Sequence, residues 1–322
     1  MNYIIFGGSG FIGTHLINLL HEKYPNANIY NLDIVENNHN GKSKFIFCDV
    51  RLKIALDISV SDQDIIFNFA AVHTTPGHPD PEYFETNIYG AENVTAFAEQ
   101  HHIKKIVFTS SIAPYGASEA EKFENTLPMP NTPYGISKLV AEKIQMIWQA
   151  KKEAERQLTI VRPGVVFGKG ENGNFTRLYW AIRNHKFLYP GRKDTIKASI
   201  YVKDLVSFML YQIDHQNKGV DLFNCTYNPA FTIEQICKMM MEATNMNRKL
   251  MKIPGGFLKF VAAIIGALGG KALGIHPDRV KKLMISTNIN GKKMADSGYK
   301  FKYSFLDAIK DWYKDNNNTG LK

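Results

Sequence analysis

The stretch Tyr3-Ile4-Ile5-Phe6-Gly7-Gly8-Ser9-Gly10-Phe11-Ile12-Gly13 decides the fold. Four apolar, β-prone residues run straight into a glycine cluster. Apolar residues at helical spacing follow at Phe11, Ile12, Leu16, Leu19 and Leu20. Both G-x-G-x-x-G (Gly8, Gly10, Gly13) and G-x-x-G-x-x-G (Gly7, Gly10, Gly13) are satisfied. Glycine here permits a tight turn and lets a pyrophosphate approach backbone amides at the positive end of the next helix. The pattern gains its meaning from its place between a strand and an amphipathic helix.

Outward from this turn, the next strand-like run is Asn28–Leu32, and Asp33 lies 20 residues beyond Gly13. A carboxylate there is placed to accept hydrogen bonds from adenosine ribose hydroxyls and to repel a 2′-phosphate. No Arg follows it immediately, so the cofactor expected is NAD rather than NADP. A solvated turn residue is the plain alternative for Asp33. Further strand-like runs are Phe45–Cys48, Ile65–Phe69, Ile106–Thr109 and Thr159–Val161, with helix-like segments at Ile12–Lys23, Tyr83–Gln100 and Tyr134–Lys152. Near-continuous Ile, Val and Phe strands alternating with helices predict an α/β fold, a doubly wound parallel sheet. After Arg162–Pro163 come a Gly-rich turn (Gly168–Gly173), a helix-like Phe175–Asn184, a basic loop (Tyr189–Lys197), a strand-like Ala198–Val202 and a helix from Asp204. We expect residues 1–165 to form the cofactor domain, with 198–225 returning to it. Residues 166–197 and 226–315 are expected to form a smaller, discontinuous, mostly helical substrate lobe, and the Asn-rich 316–322 a disordered tail.

Composition narrows the class. At 322 residues, 44% hydrophobic and 21% charged, the chain is of ordinary globular type, which excludes disorder, collagen and coiled coil. The net charge of +9 suits a phosphorylated ligand, a nucleic acid or a membrane surface. No run of five basic residues occurs, so a nucleic-acid arm is not expected. Cys48, Cys225 and Cys237 form no CxxC pair, which suits a reducing compartment; a cytoplasmic protein with free thiols is expected. The histidines show no H-E-x-x-H or Cys/His ligand spacing, so no metal site is expected. A strand-like run begins at Tyr3, where a cleaved leader would need a charged and then an apolar region. Phe257–Ile275 is apolar but carries Lys259 and Lys271, and its uninterrupted stretch Phe260–Gly270 spans 11 residues. That is too short to cross a bilayer and reads as a buried or interfacial helix.

A set of motifs then runs in order: GGSGFIG at Gly7–Gly13, CDV at Cys48–Val50, FNFAA at Phe67–Ala71, Asn87 in TNIYGAENV, TSSIAPYG at Thr109–Gly116, YGISK at Tyr134–Lys138, RPGVVFG at Arg162–Gly168 and YVKDL at Tyr201–Leu205. On these residues the chain resembles the extended short-chain dehydrogenase/reductase family, the NAD-dependent nucleotide-sugar epimerases and dehydratases. Tyr134 and Lys138, four apart on a helix-like segment, share one face. A free tyrosine titrates at about 10, and a nearby ammonium favours its phenolate, which makes Tyr134 a credible proton shuttle. The resemblance adds Ser111 as the serine that polarises the reacting oxygen, with Ser110 a lesser candidate, and gives Lys138 a hold on the nicotinamide ribose. It implies a cofactor site of Gly7, Gly10, Phe11, Ile12, Gly13, Asp33, Asp49, Val50, Ala70, Ala71, Asn87, Tyr134, Lys138, Pro163 and Val165. Asp49 reads equally well as a helix N-cap. For the substrate diphosphate, Asn174, Arg192 and Lys197 are candidates, with Arg279 weaker; each reads also as a solvated surface residue.

The same register separates reactions. Dehydratases that this chain resembles carry Asp and Glu after the catalytic hydroxyl residue; Ile112 and Ala113 stand there, and neither moves a proton. The expected reaction is C4 epimerisation of a UDP-hexose or UDP-N-acetylhexosamine through a transient 4-keto sugar. Val165 replaces an asparagine, and Asn68 a histidine, that many members carry. The first departure keeps a keto-sugar reductase open, and a non-catalytic NAD-binding protein is a third reading. The resemblance also implies a homodimer through the helices near Tyr83–Gln100 and Tyr134–Lys152.

Overall fold

The structure, a computed structural model, describes residues 1–37, 39, 41–74, 77–216, 219–253 and 285–322. The apolar segment Phe257–Ile275 and the candidate Arg279 lie outside the described residues. Strand and helix alternate from the start: β1 (Asn2–Phe6), α1 (Phe11–Lys23), β2 (Asn28–Asp33), β3 (Lys44–Phe47), β4 (Ile65–Asn68), α2 (Asp80–Phe84), α3 (Gly90–Gln100) and β5 (Lys105–Thr109). A π-helical turn, Glu85–Tyr89, joins α2 to α3. There follow β6 (Ser118–Lys122), α4 (Pro133–Ala150), β7 (Gln157–Pro163), β8 (Val165–Phe167), α5 (Asn174–Arg183), β9 (Tyr189–Pro190), β10 (Ile196–Lys197), β11 (Ser199–Tyr201), α6 (Val202–His215) and β12 (Gly219–Cys225). The chain continues through β13 (Phe231–Thr232), α7 (Ile233–Ala243), β14 (Lys252–Ile253) and β15 (Thr287–Ile289) to a last helix, Phe305–Asp315.

Seven strands form one parallel sheet in the order β12-β7-β5-β4-β1-β2-β3. Such pairing follows from strands apolar on both faces: β4 and β7 are buried throughout. Alternate residues feed opposite layers. Ile5, Phe67 and Val161 pack with Leu16, Ile17 and Leu20 of α1 and Phe208 and Met209 of α6. Ile4, Phe6, Ile66 and Phe108 pack with Val94 and Phe97 of α3 and Ala141 and Trp148 of α4. The strand order reverses between β1 and β4. A crevice opens at such a reversal, outside the carboxyl ends of the strands, and the glycine turn after β1 and the Phe67–Ala71 motif after β4 lie on its two sides.

A smaller lobe is built, mostly from the chain beyond β7 with β6 added, from short strands (β13-β10-β15-β6, β8 with β11, β9 with β14) and the helices α5, α7 and Phe305–Asp315. Its core is aromatic: the Phe167 and Phe175 rings stack at 4.9 Å, with Phe305, Tyr227 and Trp312 around them. Two local expectations change. The strand Ser199–Tyr201 pairs with β8 in a two-stranded ribbon, and the segment that completes the large sheet is β12, whose interleaved Asp221 and Asn224 hide its strand character. The C-terminal residues, expected to be disordered, are packed instead. Leu321 is fully buried, and the Lys322 carbonyl accepts from Trp312 Nε1 (3.1 Å), Asn316 Nδ2 (3.0 Å) and the Gly170 amide (3.0 Å). Polar composition misled there because one apolar anchor outweighs an Asn run. Leu321→Ala is expected to cost about 2–5 kcal/mol of unfolding free energy, read by urea denaturation.

Candidate active site

The turn after β1 is held by close backbone contacts. Gly7 has φ +77°, and a Cβ there would sit 2.7 Å from the Ala70 amide nitrogen. A Cβ on Gly13 would lie 2.6 Å from the Gly7 carbonyl oxygen, so helix α1 can start against the turn only with glycine at that point. Gly10 caps α1 with no side-chain hydrogen bond, which leaves the first-turn amides facing outward, as an anionic pyrophosphate needs. The Phe11 and Ile12 side chains turn into the smaller lobe, where Ile12 joins its core and Phe11 lies against Gly170.

Asp33, at the end of β2, accepts from the Ser9 amide (3.1 Å) and the Val35 amide (3.2 Å). It is therefore wired to the glycine turn as well as half-buried beside it. Asp49 begins no helix: it accepts from the Arg51 amide at 3.0 Å and pairs with the Arg51 guanidinium at 2.6 Å, which holds its carboxyl below the usual range. It is a turn former, and the N-cap reading does not apply. Val50 is buried, against Gly90 of α3. Ala70 and Ala71 line the segment leaving β4. Asn87, inside the π turn, accepts from the Val72 amide (2.9 Å) and donates to the Val72 carbonyl (3.1 Å) and to Ser137 Oγ (2.8 Å). It thereby ties that segment to α4. Pro163 and Val165 sit where β7 passes into β8; the Pro163 carbonyl accepts from the Ile112 amide and the Val165 amide donates to Ala198.

Helix α4 starts at a Thr132 cap and presents Tyr134 and Lys138 towards the end of β5. Ser111, just past that strand, is hydrogen-bonded to the Tyr134 hydroxyl. Ser110 points inward and is engaged by the Glu142 carboxylate, so of the two serines only Ser111 faces the tyrosine. Lys138 is buried, its ammonium 4.3 Å from the centre of the Phe108 ring. The expected electrostatics differ here. Burial raises the Tyr134 hydroxyl above its ordinary value, opposed by the Ser111 hydrogen bond, and pushes Lys138 down to about 7, opposed by Glu142. Desolvation dominates at both groups, and what acts on Tyr134 besides burial is Ser111 and Tyr83 rather than the Lys138 ammonium.

The substrate-side candidates scatter. Asn174 is exposed at the start of α5 and accepts from Arg177. Arg192 is paired with Glu119 (3.0 Å) and Asp194 (2.8 Å). Lys197 is half-buried, donates to the Ile285 carbonyl at 2.8 Å and is lowered to about 8 by burial. Sequence reading missed Glu142, although it extends the row Tyr134, Lys138 by one more helical turn as a lone acid on an otherwise buried face. Among the described residues no group of three or more His, Cys, Asp or Glu is placed to hold a metal ion. Gly7→Ala is expected to weaken NAD binding by tenfold or more, read by calorimetric titration, because it forces the turn away from Ala70.

The family model described as the NAD dependent epimerase/dehydratase family matches residues 3–226. Over 311 residues the chain is 31% identical to the N-acetyl-alpha-D-glucosaminyl-diphospho-ditrans,octacis-undecaprenol 4-epimerase of Escherichia coli O157:H7, covering 96% of this chain and 93% of that protein. It is 26% identical to human dTDP-D-glucose 4,6-dehydratase over 263 residues, covering 74% of this chain and 73% of that one. The fold is that of the Bacillus cereus UDP-glucuronic acid 4-epimerase solved with NAD, with a TM-score of 0.74 at 18% identity, covering 98% of this chain and 96% of the other. The glycine turn with its uncapped helix, and Asp33 beside it, fit the dinucleotide that this family uses. The chain belongs to the NAD dependent epimerase/dehydratase family.

Proposed function

We propose that the chain is a 4-epimerase of a hexose or N-acetylhexosamine carried on a diphosphate. The observation that carries this reading is the grouping of Ser111, Tyr134 and Lys138 with no acid or base at Ile112 and Ala113. Tyr134, as its phenolate, takes the proton of the sugar 4-hydroxyl while the C4 hydride passes from the sugar. Ser111 donates to the resulting ketone oxygen. After the keto sugar turns over, hydride returns to its other face and Tyr134 gives the proton back. Bound NAD supplies the reversible hydride acceptor. Asp33, Gly10 and Gly13 would hold the dinucleotide through the cycle, and Lys138 would hold its nicotinamide ribose. Asn174 and Lys197 are the diphosphate contacts that this reading assigns among the described residues; Arg192, held between two carboxylates, would need to exchange a partner.

A second reading concerns the carrier. The Escherichia coli relative, 31% identical over 96% of this chain, is named for a polyprenyl-linked N-acetylglucosamine, which favours a lipid diphosphate over a uridine diphosphate. Both share the N-acetylhexosaminyl diphosphate. Incubating the purified chain separately with UDP-N-acetylglucosamine and with polyprenyl-diphospho-N-acetylglucosamine, and resolving the sugars after acid release, decides between them. The expected result is an N-acetylgalactosamine product from one of the two, with no net change in reduced-nicotinamide absorbance. Tyr134→Phe should lower turnover by about 10²–10⁴-fold while leaving NAD bound. No epimer from either, or stoichiometric NADH consumption by a 4-keto sugar, would replace this reading with the reductase.

Tyr89, Ile136, Val140 and Ile147 leave exposed apolar side chains on the α3–α4 side of the sheet, Ile147 at 60% exposure. We read this face as the contact with a second copy of the chain. Light scattering should give a dimer mass, and Ile147→Glu should give a monomer; a monomeric wild type ends the idea. The three buried free cysteines support a cytoplasmic setting, and a role in polysaccharide biosynthesis follows from the substrate class. Among the described residues no helix is long and apolar enough to cross a membrane.

A further inference from the structure

We propose that Glu142 is the positioning residue of the proton-transfer site, registering the Tyr134 helix against the Ser111 end of β5 through one buried carboxylate. Glu142 is fully buried. Its Oε1 accepts from Ser110 Oγ and from Arg162 Nε (2.8 Å), and its Oε2 from Arg162 Nη2 (2.5 Å). Ser110 precedes Ser111, and its amide donates to the Val161 carbonyl of β7 at 2.8 Å. Lys138 lies one turn before Glu142 on α4, and Tyr134 one turn before that. Three elements that supply the reacting groups, or their neighbours, therefore meet at this carboxylate. Its hydrogen bonds go to Ser110 and Arg162 and its charge acts on Lys138, so it works through the neighbour of Ser111 and through Lys138.

The electrostatic surroundings make the carboxylate more than a brace. Lys138 is faced by the Phe108 ring from β5, by Glu142 from its own helix and by His73 from the loop after β4, whose imidazole interacts with it. Glu142 opposes the burial that drives Lys138 towards neutrality. Arg162 is in turn covered by the Tyr115 ring at 4.6 Å, and the Tyr115 hydroxyl donates to Asn224 of β12 at 2.9 Å. Lys138 holds its charge below a pH of about 7 and loses it as pH rises through that value. Without Glu142 that loss comes at lower pH.

The rate readout of this inference rests on the epimerase reading, whereas the Lys138 titration does not. The test uses the full chain with NAD and UDP-N-acetylglucosamine, comparing wild type with Glu142→Gln, with Glu142→Gln/Arg162→Met, which leaves no unpaired guanidinium, and with Ser110→Ala, which spares the ion pair. Lys138 is followed by NMR of ¹³Cε-labelled lysine, assigned through Lys138→Arg. Both Glu142 variants are expected to lower the Lys138 midpoint by about one pH unit or more. The alkaline limb of kcat should move the same way, with kcat down about tenfold or more and KM nearly unchanged. Ser110→Ala is expected to reduce kcat severalfold without a change in melting temperature. A folded double variant with wild-type kcat and Lys138 midpoint overturns the proposal. If neither Glu142 variant folds, an unchanged kcat in Ser110→Ala overturns it. A wild type that makes no epimer counts against the epimerase reading alone, and the Lys138 midpoints still judge Glu142.

Discussion

The molecule is organised by the approach of two backbones. Gly7 leaves β1 with φ +77° so close to Ala70, the continuation of β4, that a Cβ would lie 2.7 Å from its amide nitrogen. These are the two neighbouring strands at which the sheet order reverses. Because the turn after β1 folds tightly to one side, α1 starts directly above it and aims its uncapped amides across the crevice. The segment after β4 passes the other way and is clamped by Asn87 to α4, the helix that carries Tyr134 and Lys138. One steric demand for glycine thus fixes the phosphate end of the crevice and the line along which its chemistry can be placed.

Burial governs the chemistry at the other end. Charged groups in a low-dielectric interior are costly unless paired, and the site answers this unevenly. Glu142 and Arg162 are buried together with two parallel hydrogen bonds, the arrangement in which losing one partner costs about 3–5 kcal/mol. Lys138 has no such bidentate partner and sits near the middle of its range, and Tyr134 is held towards its neutral form. Both groups are thus held towards their neutral forms, so the phenolate that accepts the substrate proton is the costly state of the pair.

The large parallel sheet, the glycine turn and the Tyr134/Lys138 row were all legible in the chain because each rests on local signals: apolar runs, glycine spacing and a repeat of four. The family resemblance already favoured Ser111 over Ser110, but the physical reason for the difference was not legible. Adjacent residues of one type have the same local propensity, and only the position of Glu142, 32 residues away, turns one inward and leaves the other facing Tyr134. β12 was hidden for a similar reason, since Asp221 and Asn224 break the apolar run while the register with β7 carries the pairing. The C-terminal residues misled through composition, where a single buried Leu321 and three hydrogen bonds to the Lys322 carbonyl decide the outcome.

By itself the sequence determined the layered α/β architecture and the use of NAD, and its resemblance to a known family pointed to the Gly7–Gly13 turn, Tyr134 and Lys138 as the site. These depend on periodicity, on glycine's freedom from a Cβ and on a carboxylate's repulsion of phosphate, all of which are written in neighbouring residues. Only the tertiary structure decided that Ser110 is turned inward onto Glu142, that Arg192 is already held by Glu119 and Asp194, and that burial pushes Lys138 down to about 7. Those properties come from distant segments brought into contact, where desolvation and pairing, both set by packing, replace the intrinsic behaviour of each side chain.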